Sequence, residues 1–459
     1  MRLIPALSWL VACALIPAAS IGSQANADSP AKPAPTAAPK PVPAKAPPPV
    51  AAQPSPPAAA KPAPPATPAA SAKWKPVDTN PQPGVGQDFV ADGKTLYRVL
   101  ACGGDGPLPK GLDATVVDTH CKRLLAIMQR YREGFLVKAT ALFNEIRPKA
   151  LPQAVVYPFG GGDLLTALTT FPDALEITTI SLEHAGDPQR IGKLTKKADL
   201  EKALQMFDDS MSTLLSGDWN WTRNFEAMEQ LGIPDQLGSA MMALVIHGYE
   251  PVSIRFFTVK RDGSIDYFDA AKLAAAKATK PDKLRPWGAP DWSNAFSNVE
   301  VRFRSRGNAG APIKVFRHIA ANVSDAHLTT DPNHLTKNPG LLLHLQAKGP
   351  VAAMTRAASH LLWEAAFSQI RDYLTANLVW MPSDSTGVPP PFAKAAGLVQ
   401  DTYGTFEAAY EASDQGHRPQ YNEAFKELFA KNPKRPLEFR YGYPDVNKKA
   451  HMVVTRRVK

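Results

Sequence analysis

The chain has 459 residues and a formal net charge of +10, enough sequence for one large or two ordinary domains. The charge is uneven. Residues 28–76 hold six Lys against one acid, whereas residues 77–459 hold 45 Lys and Arg against 41 Asp and Glu. The larger part is therefore nearly neutral. It has no basic stripe with interleaved aromatics, the footprint of a nucleic-acid binder, so no nucleic-acid partner is expected.

The start reads as a secretory signal, residues 1–27. Arg2 supplies the positive end, residues 3–21 are mostly apolar, and Ala25-Asn26-Ala27 is a small-x-small cleavage site. The expected address is periplasmic or extracellular, with Asp28 as the first mature residue. The alternative is a lipoprotein anchored at Cys13, because Leu10-Val11-Ala12-Cys13 has the look of a bacterial lipidation box. No later segment holds 18 uninterrupted apolar residues, so no transmembrane helix is expected in the mature chain. Cleavage leaves Cys102 and Cys121. An even count in an exported protein points to a disulfide, with two free thiols as the alternative.

Residues 28–76 hold 17 prolines in 49 positions, with Ala and Lys making up most of the rest. Such a segment cannot bury a core and is expected to be a disordered, extended linker. Its basic charge suits an envelope polymer or an anionic surface. A single α/β domain is expected over 77–459. Residues 89–100 read as a short strand pair around Asp92-Gly93. A helix over 118–147 carries one apolar face (Leu124, Met128, Tyr131, Phe135, Ala139, Leu142, Ile146), with Asp118 or Thr119 as its cap.

Residues 154–159 form a buried strand, Gly160-Gly161-Gly162 a turn, and residues 163–170 a helix. The β-branched run 175–182 follows, ending in Glu183. This is a βαβ unit and implies a parallel sheet. Residues 253–259 and 264–268 flank an Asp262-Gly263 hairpin turn. Val299, Val301 and Phe303 alternate with Glu300, Arg302 and Arg304, the pattern of a half-exposed strand pairing with 313–319. Residues 352–362 read as helix, and 437–441 with 452–455 as a closing hairpin. The fold class expected is α/β: a three-layer, mainly parallel, Rossmann-like sheet with added β-hairpins, behind the linker.

A glycine turn between strand and helix brings backbone N–H groups toward an anion. Tyr157, Gly160, Gly161 and Gly162 are therefore candidate ligand-binding residues. Glu183 lies 20 residues after Asp163, where nucleotide-binding α/β folds place an acid. Asp384 and Ser385 lie in a polar loop after another strand. Asp163, Glu183 and Asp384 are the candidate acid–base groups, and Ser385 a further ligand-binding candidate. The alternative for the glycines is a tight turn with Asp163 capping the helix. There is no G-x-G-x-x-G, no G-x-S-x-G and no H-E-x-x-H. His327 and His334, with Asp325 and Asp331, match no standard metal spacing, so neither metal nor cofactor is expected.

Tyr157-Pro158-Phe159-Gly160-Gly161-Gly162-Asp163, Phe171-Pro172 and Leu182-Glu183 with Gly186 resemble a family of exported bacterial proteins of unknown function. Its motifs run Tyr-Pro-Phe-Ser-Gly-Pro-Asp, Phe-Phe-Pro and Gly-Leu-Glu-Pro-x-Gly. Ala357-Ala358-Ser359-His360-Leu361 and Asp384-Ser385-Thr386-Gly387-Val388-Pro389 resemble its later Ala-Ala-Ser-Tyr-Leu and Asp-Asp-Ser-Gly-Ile-Pro segments. The likeness covers about 150 to 459. The chain departs at Gly160, Gly162 and either Ser383 or Thr386. The resemblance implies the exported address and the layout, and no reaction. Three functions are in view: an envelope protein binding a ligand or partner at the strand-end cleft, an envelope hydrolase or transferase using those carboxylates, or a degenerate nucleotide- or methyltransferase-like fold acting as scaffold.

Overall fold

The apolar, β-branched run after Pro152 becomes β1 (Ala154–Pro158), with all five residues buried. It lies inside a ten-stranded sheet with β2 (Glu176–Ser181), β3 (Tyr249–Val259), β4 (Ile265–Tyr267), β5 (Asn298–Ser305), β6 (Lys314–Ala320), β7 (Val351–Ala353), β8 (Leu378–Ser383), β9 (Leu398–Gly404) and β10 (His451–Arg457). This is a computed structural model. It describes residues 74–80, 84–104, 106–215, 228, 230–278, 294–328, 339–356, 358–384, 387–406, 419–441 and 450–458, all within the unit Pro64–Lys459. The signal segment, nearly all of the expected linker, Asp331, His334, Ser385 and Thr386 lie outside the described residues.

The strand order is β4-β3-β5-β6-β2-β1-β7-β8-β10-β9. The class is α/β, and the sheet is mixed rather than mainly parallel. The block β6-β2-β1-β7-β8 is parallel. The flanking strands pair antiparallel. Short connections explain two of these antiparallel pairs. The turn at Asp262-Gly263 and the link between β5 and β6 are too short for the dozen or more residues that a parallel crossover needs.

Other expectations are corrected as well. Residues 89–100 are not a strand pair but helix α1 (Val90–Val99). Leu96, Tyr97 and Val99 are buried at helical spacing, and a Cβ on Gly93 would come within 2.0 Å of Ile254 Cδ1. Glycine there lets α1 sit directly on β3. Helix α2 (Ala114–Tyr131) is capped by Asp113, which accepts from Thr115 N at 2.9 Å and Val116 N at 3.2 Å, and not by Asp118 or Thr119. A π-helical turn at Arg132–Leu136 joins α2 to α3 (Val137–Ile146). The turn carries one residue more than α-helical winding. Phe143 is therefore buried, and Leu142 and Ile146 are half-buried. Residues 352–362 hold β7 and a 3-10 segment, Ala358–Trp363, instead of a helix. Residues 452–455 pair with β8 and β9, not with 437–441.

Helices α4 (Leu164–Thr170), α5 (Lys197–Leu215) and α6 (Asp235–Ile246) complete the first half of the chain. The pleat of β1 sends alternate side chains to opposite faces. Val155 and Tyr157 join the cluster built from α1 to α6. Ala154 and Val156 join a second cluster, which holds Leu341 and Leu345 from helix Pro339–Gln346 and Ile370 and Leu374 from helix Ser368–Asn377. Asp325 caps the latter helix from outside it, accepting from Ser368 N at 3.1 Å and Gln369 N at 2.9 Å.

The polar side of β5 is buried, not half-exposed: Glu300 and Arg302 are 1% and 4% exposed. The strand register aligns Arg255, Glu300 and Arg317 across β3, β5 and β6. Glu300 accepts from Arg317 Nε and Arg302 Nε, each at 2.8 Å, and from Tyr267 Oη at 2.6 Å. Glu176 takes the far side of Arg317 at 2.9 Å and is also paired with Lys348. Opposite charges on neighbouring strands compensate one another, so this face tolerates burial. At the outer edge, β9 is met by the segment after helix Pro419–Lys431. Asn432 Nδ2 donates to Gln400 O at 2.9 Å, Arg435 Nη1 to Thr402 O at 3.4 Å, and Gly404 N to Arg435 O at 2.8 Å.

Cys102 and Cys121 form a disulfide with Cα atoms 5.4 Å apart. No helix among the described residues is long and apolar enough to cross a membrane.

Two predictions follow from these contacts. A bridge of this loop size stabilises by about 3 kcal/mol in the chain-entropy model. The Cys102→Ser/Cys121→Ser double variant is expected to lose an amount of that order in urea denaturation, and an unchanged midpoint would refute it. Burial, together with the charges of Lys348 and Arg317, pushes His344 down to about 3, below the ordinary histidine value of about 6.5. The unfolded chain therefore takes up a proton that the folded chain refuses, and stability falls as pH drops from about 6.5 toward about 3. Urea midpoints at pH 7, 5 and 4 should fall less steeply in His344→Phe than in the wild-type chain.

Candidate functional site

The parallel block reverses its order between β1 and β7, because β2 lies on one side of β1 and β7 on the other. In open α/β sheets ligands bind beyond the carboxyl ends of the strands at this switch point. The chain leaves β1 there through Phe159, whose φ is +62°. A non-glycine residue in this region carries local strain. Gly160 N then bonds to Ile180 O at 3.0 Å, tying the turn to β2.

Each glycine has a definite neighbour. A Cβ on Gly160 would lie 2.7 Å from the Tyr157 ring and 2.8 Å from Tyr157 O. One on Gly162 would lie 2.5 Å from Gln236 Oε1 and 2.8 Å from Ser239 Cβ. Gly161 has φ +48° and more open surroundings. Gly160 and Gly162 thus let the turn close on Tyr157 and on α6, and Gly161 takes the left-handed conformation.

Asp163 caps α4, accepting from Thr166 N at 3.0 Å. Its other carboxylate oxygen accepts from Tyr157 Oη at 2.8 Å and from Arg356 Nη1 at 2.7 Å. Arg356 Nη1 also donates to Thr166 Oγ1 at 2.5 Å, and the guanidinium lies 5.3 Å from the Tyr441 ring centroid. Arg356 follows β7 and is 5% exposed. Burial disfavours its charge, but the Asp163 carboxylate, helped by Tyr157, Tyr441 and Asp384, overrides that and raises its pKa. Tyr157, Tyr131 and Tyr441 are all held above the usual phenol range, first by burial, with the Asp163 charge adding to the effect.

Asp384, after β8, is fully buried and accepts from Ser359 Oγ at 2.6 Å. Its backbone N donates to Thr355 O at 3.2 Å, and Thr355 pairs with Ser383 in an isolated parallel bridge. The two strand ends therefore match: a buried hydroxyl residue, Thr355 or Ser383, precedes a buried charged one, Arg356 or Asp384. Thr355 Oγ1, Ser383 Oγ and Arg356 Nε have no hydrogen-bond partner among the described residues.

The structure thus brings Asp163, Tyr157 and Asp384 together around Arg356. Glu183 stands elsewhere. It follows β2 toward β6, where its carbonyl accepts from His318 Nε2 at 2.8 Å. The next residues run beside the start of β5, with Ala185 N bonded to Ser297 O and Gly186 N to Phe296 O. Sequence reasoning missed Arg356, Thr355 and Tyr441. The available signal was the run Val351-Ala352-Ala353-Met354-Thr355-Arg356, an apolar strand ending in polar residues. Among the described residues one group of potential metal ligands lies close together, Cys102, His120 and Cys121, within 4.8 Å. Both of its sulfurs are held in the disulfide.

No family model, curated protein or solved structure matches the chain.

Removing one partner of a buried ion pair leaves the other uncompensated, at about 3–5 kcal/mol. Asp163→Asn is expected to destabilise by that amount in chemical denaturation. Pairing it with Arg356→Met should cost less than the sum of the two single changes. Additive losses would show that the pair is not coupled.

Proposed function

We propose that the chain is an exported cell-envelope protein that binds a ligand or partner at the carboxyl ends of β1, β7 and β8. The carrying observation is the pair of unpartnered buried hydroxyls, Thr355 Oγ1 and Ser383 Oγ, beside the buried Arg356 and Asp384. Natural structures leave few buried polar groups unsatisfied, and those that remain call for an explanation. Strain at Phe159 at the same strand ends supports the same reading. Export rests on the signal-like start, the Pro-rich linker and the Cys102–Cys121 bridge, since disulfides persist in oxidising compartments.

The geometry favours binding over hydrolysis or group transfer. Asp163 spends both carboxylate oxygens on Thr166, Tyr157 and Arg356, and a general base needs a free acceptor within reach of its substrate. We further read the parallel block, with helices on both faces, as a three-layer, Rossmann-like core. That leaves the degenerate nucleotide-type scaffold as the second reading. The resemblance to exported proteins of unknown function is consistent with either.

Thermal denaturation of the mature chain against soluble peptidoglycan fragments, nucleotides and divalent metals tests the proposal. A ligand at 100 times its Kd adds about 2.7 kcal/mol. A shift is expected with an envelope fragment, and it should shrink at least tenfold in apparent affinity in Thr355→Val and Ser383→Ala. Because those hydroxyls have no partner, the two variants should fold at least as stably as the wild-type chain. No shift with any ligand class, or a shift that both variants retain in full, would favour the scaffold.

A further inference from the structure

A cavity of about 370 Å³ opens at the other end of the sheet, by the first residues of β1 and β2, Ala154 and Glu176. Its size falls at the low end of small-molecule sites, about 300–1,000 Å³. Five of its lining side chains are Lys or Arg, against two carboxylates. Counting Glu300, which pairs with both Arg302 and Arg317, and Asp88, 3.8 Å from Arg255, still leaves a cationic excess of one. Low-dielectric walls focus such a field. Ala154, Ile265 and Val77 add apolar surface, which a bare inorganic ion would leave unused.

Two buried residues of its lining carry unpartnered polar atoms. Arg302 donates Nε–H to Glu300, while its Nη1 has no partner among the described residues. His344 uses Nδ1–H on Gly263 O at 3.0 Å, and its Nε2 likewise has no partner. A neutral imidazole protonated at Nδ1 presents Nε2 as an acceptor only, and burial keeps His344 neutral at pH 7. The lining thus offers cationic donors for an acid group and one acceptor for a hydroxyl. At the rim, exposed Lys75 donates to Ala347 O at 2.8 Å. Residues 75–78 complete the wall.

We propose that this cavity is a second binding site, for a small organic anion that bears a carboxylate or phosphate and at least one hydroxyl, the acid facing Arg302 and Arg255 and the hydroxyl facing His344. It stands at the opposite strand ends from the site around Arg356, so its failure would leave that proposal untouched.

Calorimetry on the mature chain with citrate, glucose 6-phosphate, inorganic phosphate and glucose tests the assignment. Citrate or glucose 6-phosphate is expected to bind, and which of the two binds more tightly identifies the acid group. Inorganic phosphate and glucose should each bind at least tenfold more weakly. Arg302→Lys and His344→Phe should each weaken the binding about tenfold. Lys75→Ala, at an exposed position where folding is not at stake, should weaken it severalfold and reduce its salt dependence. The proposal is overturned if neither organic anion binds, if phosphate or glucose alone binds as well, or if all three variants bind like the wild-type chain.

Discussion

The ion pair between Asp163 and Arg356 is the constraint on which the strand-end architecture depends. It joins the turn after β1 to the residue after β7, across the point where the sheet changes direction. An aspartate in this position does two jobs. It starts α4 with a side-chain cap, and it is the largest of the groups that hold the Arg356 guanidinium charged. Neither job alone requires burial. Burial comes from Tyr131, Tyr157 and Tyr441, whose rings exclude water and whose hydroxyls stay protonated. A buried pair of this kind adds little to net stability compared with apolar residues of the same volume. It restricts the arrangement instead, because an alternative packing of β7 against β1 would strand a charge.

The sheet settles its buried charges in two ways. Along the middle of β3, β5 and β6, charges alternate and settle one another from strand to strand. At the carboxyl ends, the charges sit on loops and are settled through α4 and the tyrosines. Between them, two apolar clusters cover opposite faces. The antiparallel flanks matter to this division. Strand pairs without crossover helices allow Arg255, Glu300, Arg302 and Arg317 to stand close enough to interact, which the covering helices of an all-parallel sheet would hinder.

Much of this was legible from the residues. The βαβ unit, the Asp262-Gly263 hairpin, the pairing of 299–303 with 314–319 and the cysteine pair all follow from local chemistry. The failures have physical causes. Glu300 and Arg302 obeyed strand alternation, but alternation says which side a residue faces, not whether that side meets water. The π turn at Arg132–Leu136 is invisible to a fixed 3.6-residue period, which is why Phe143 was overlooked. Val351-Ala352-Ala353 is too short to declare itself a strand, and its sheet position depends on β1 and β8, which are distant in sequence. Arg356 was hidden for the same reason. The glycine turn draws attention to Asp163, but the partner of its carboxylate lies 193 positions away.

The treatment of β9 has a consequence for assembly. A strand at the margin of a sheet presents N–H and C=O groups to which another chain can add, the route to runaway association. Here the carbonyls of Gln400 and Thr402 are already engaged by Asn432 and Arg435, and the N–H of Gly404 by a backbone carbonyl. At the opposite margin β4 is only three residues long, too short a template for a stable added strand. The described chain covers the β9 margin and keeps the β4 margin short, and an incoming strand at β9 would first have to displace bonds the chain makes with itself.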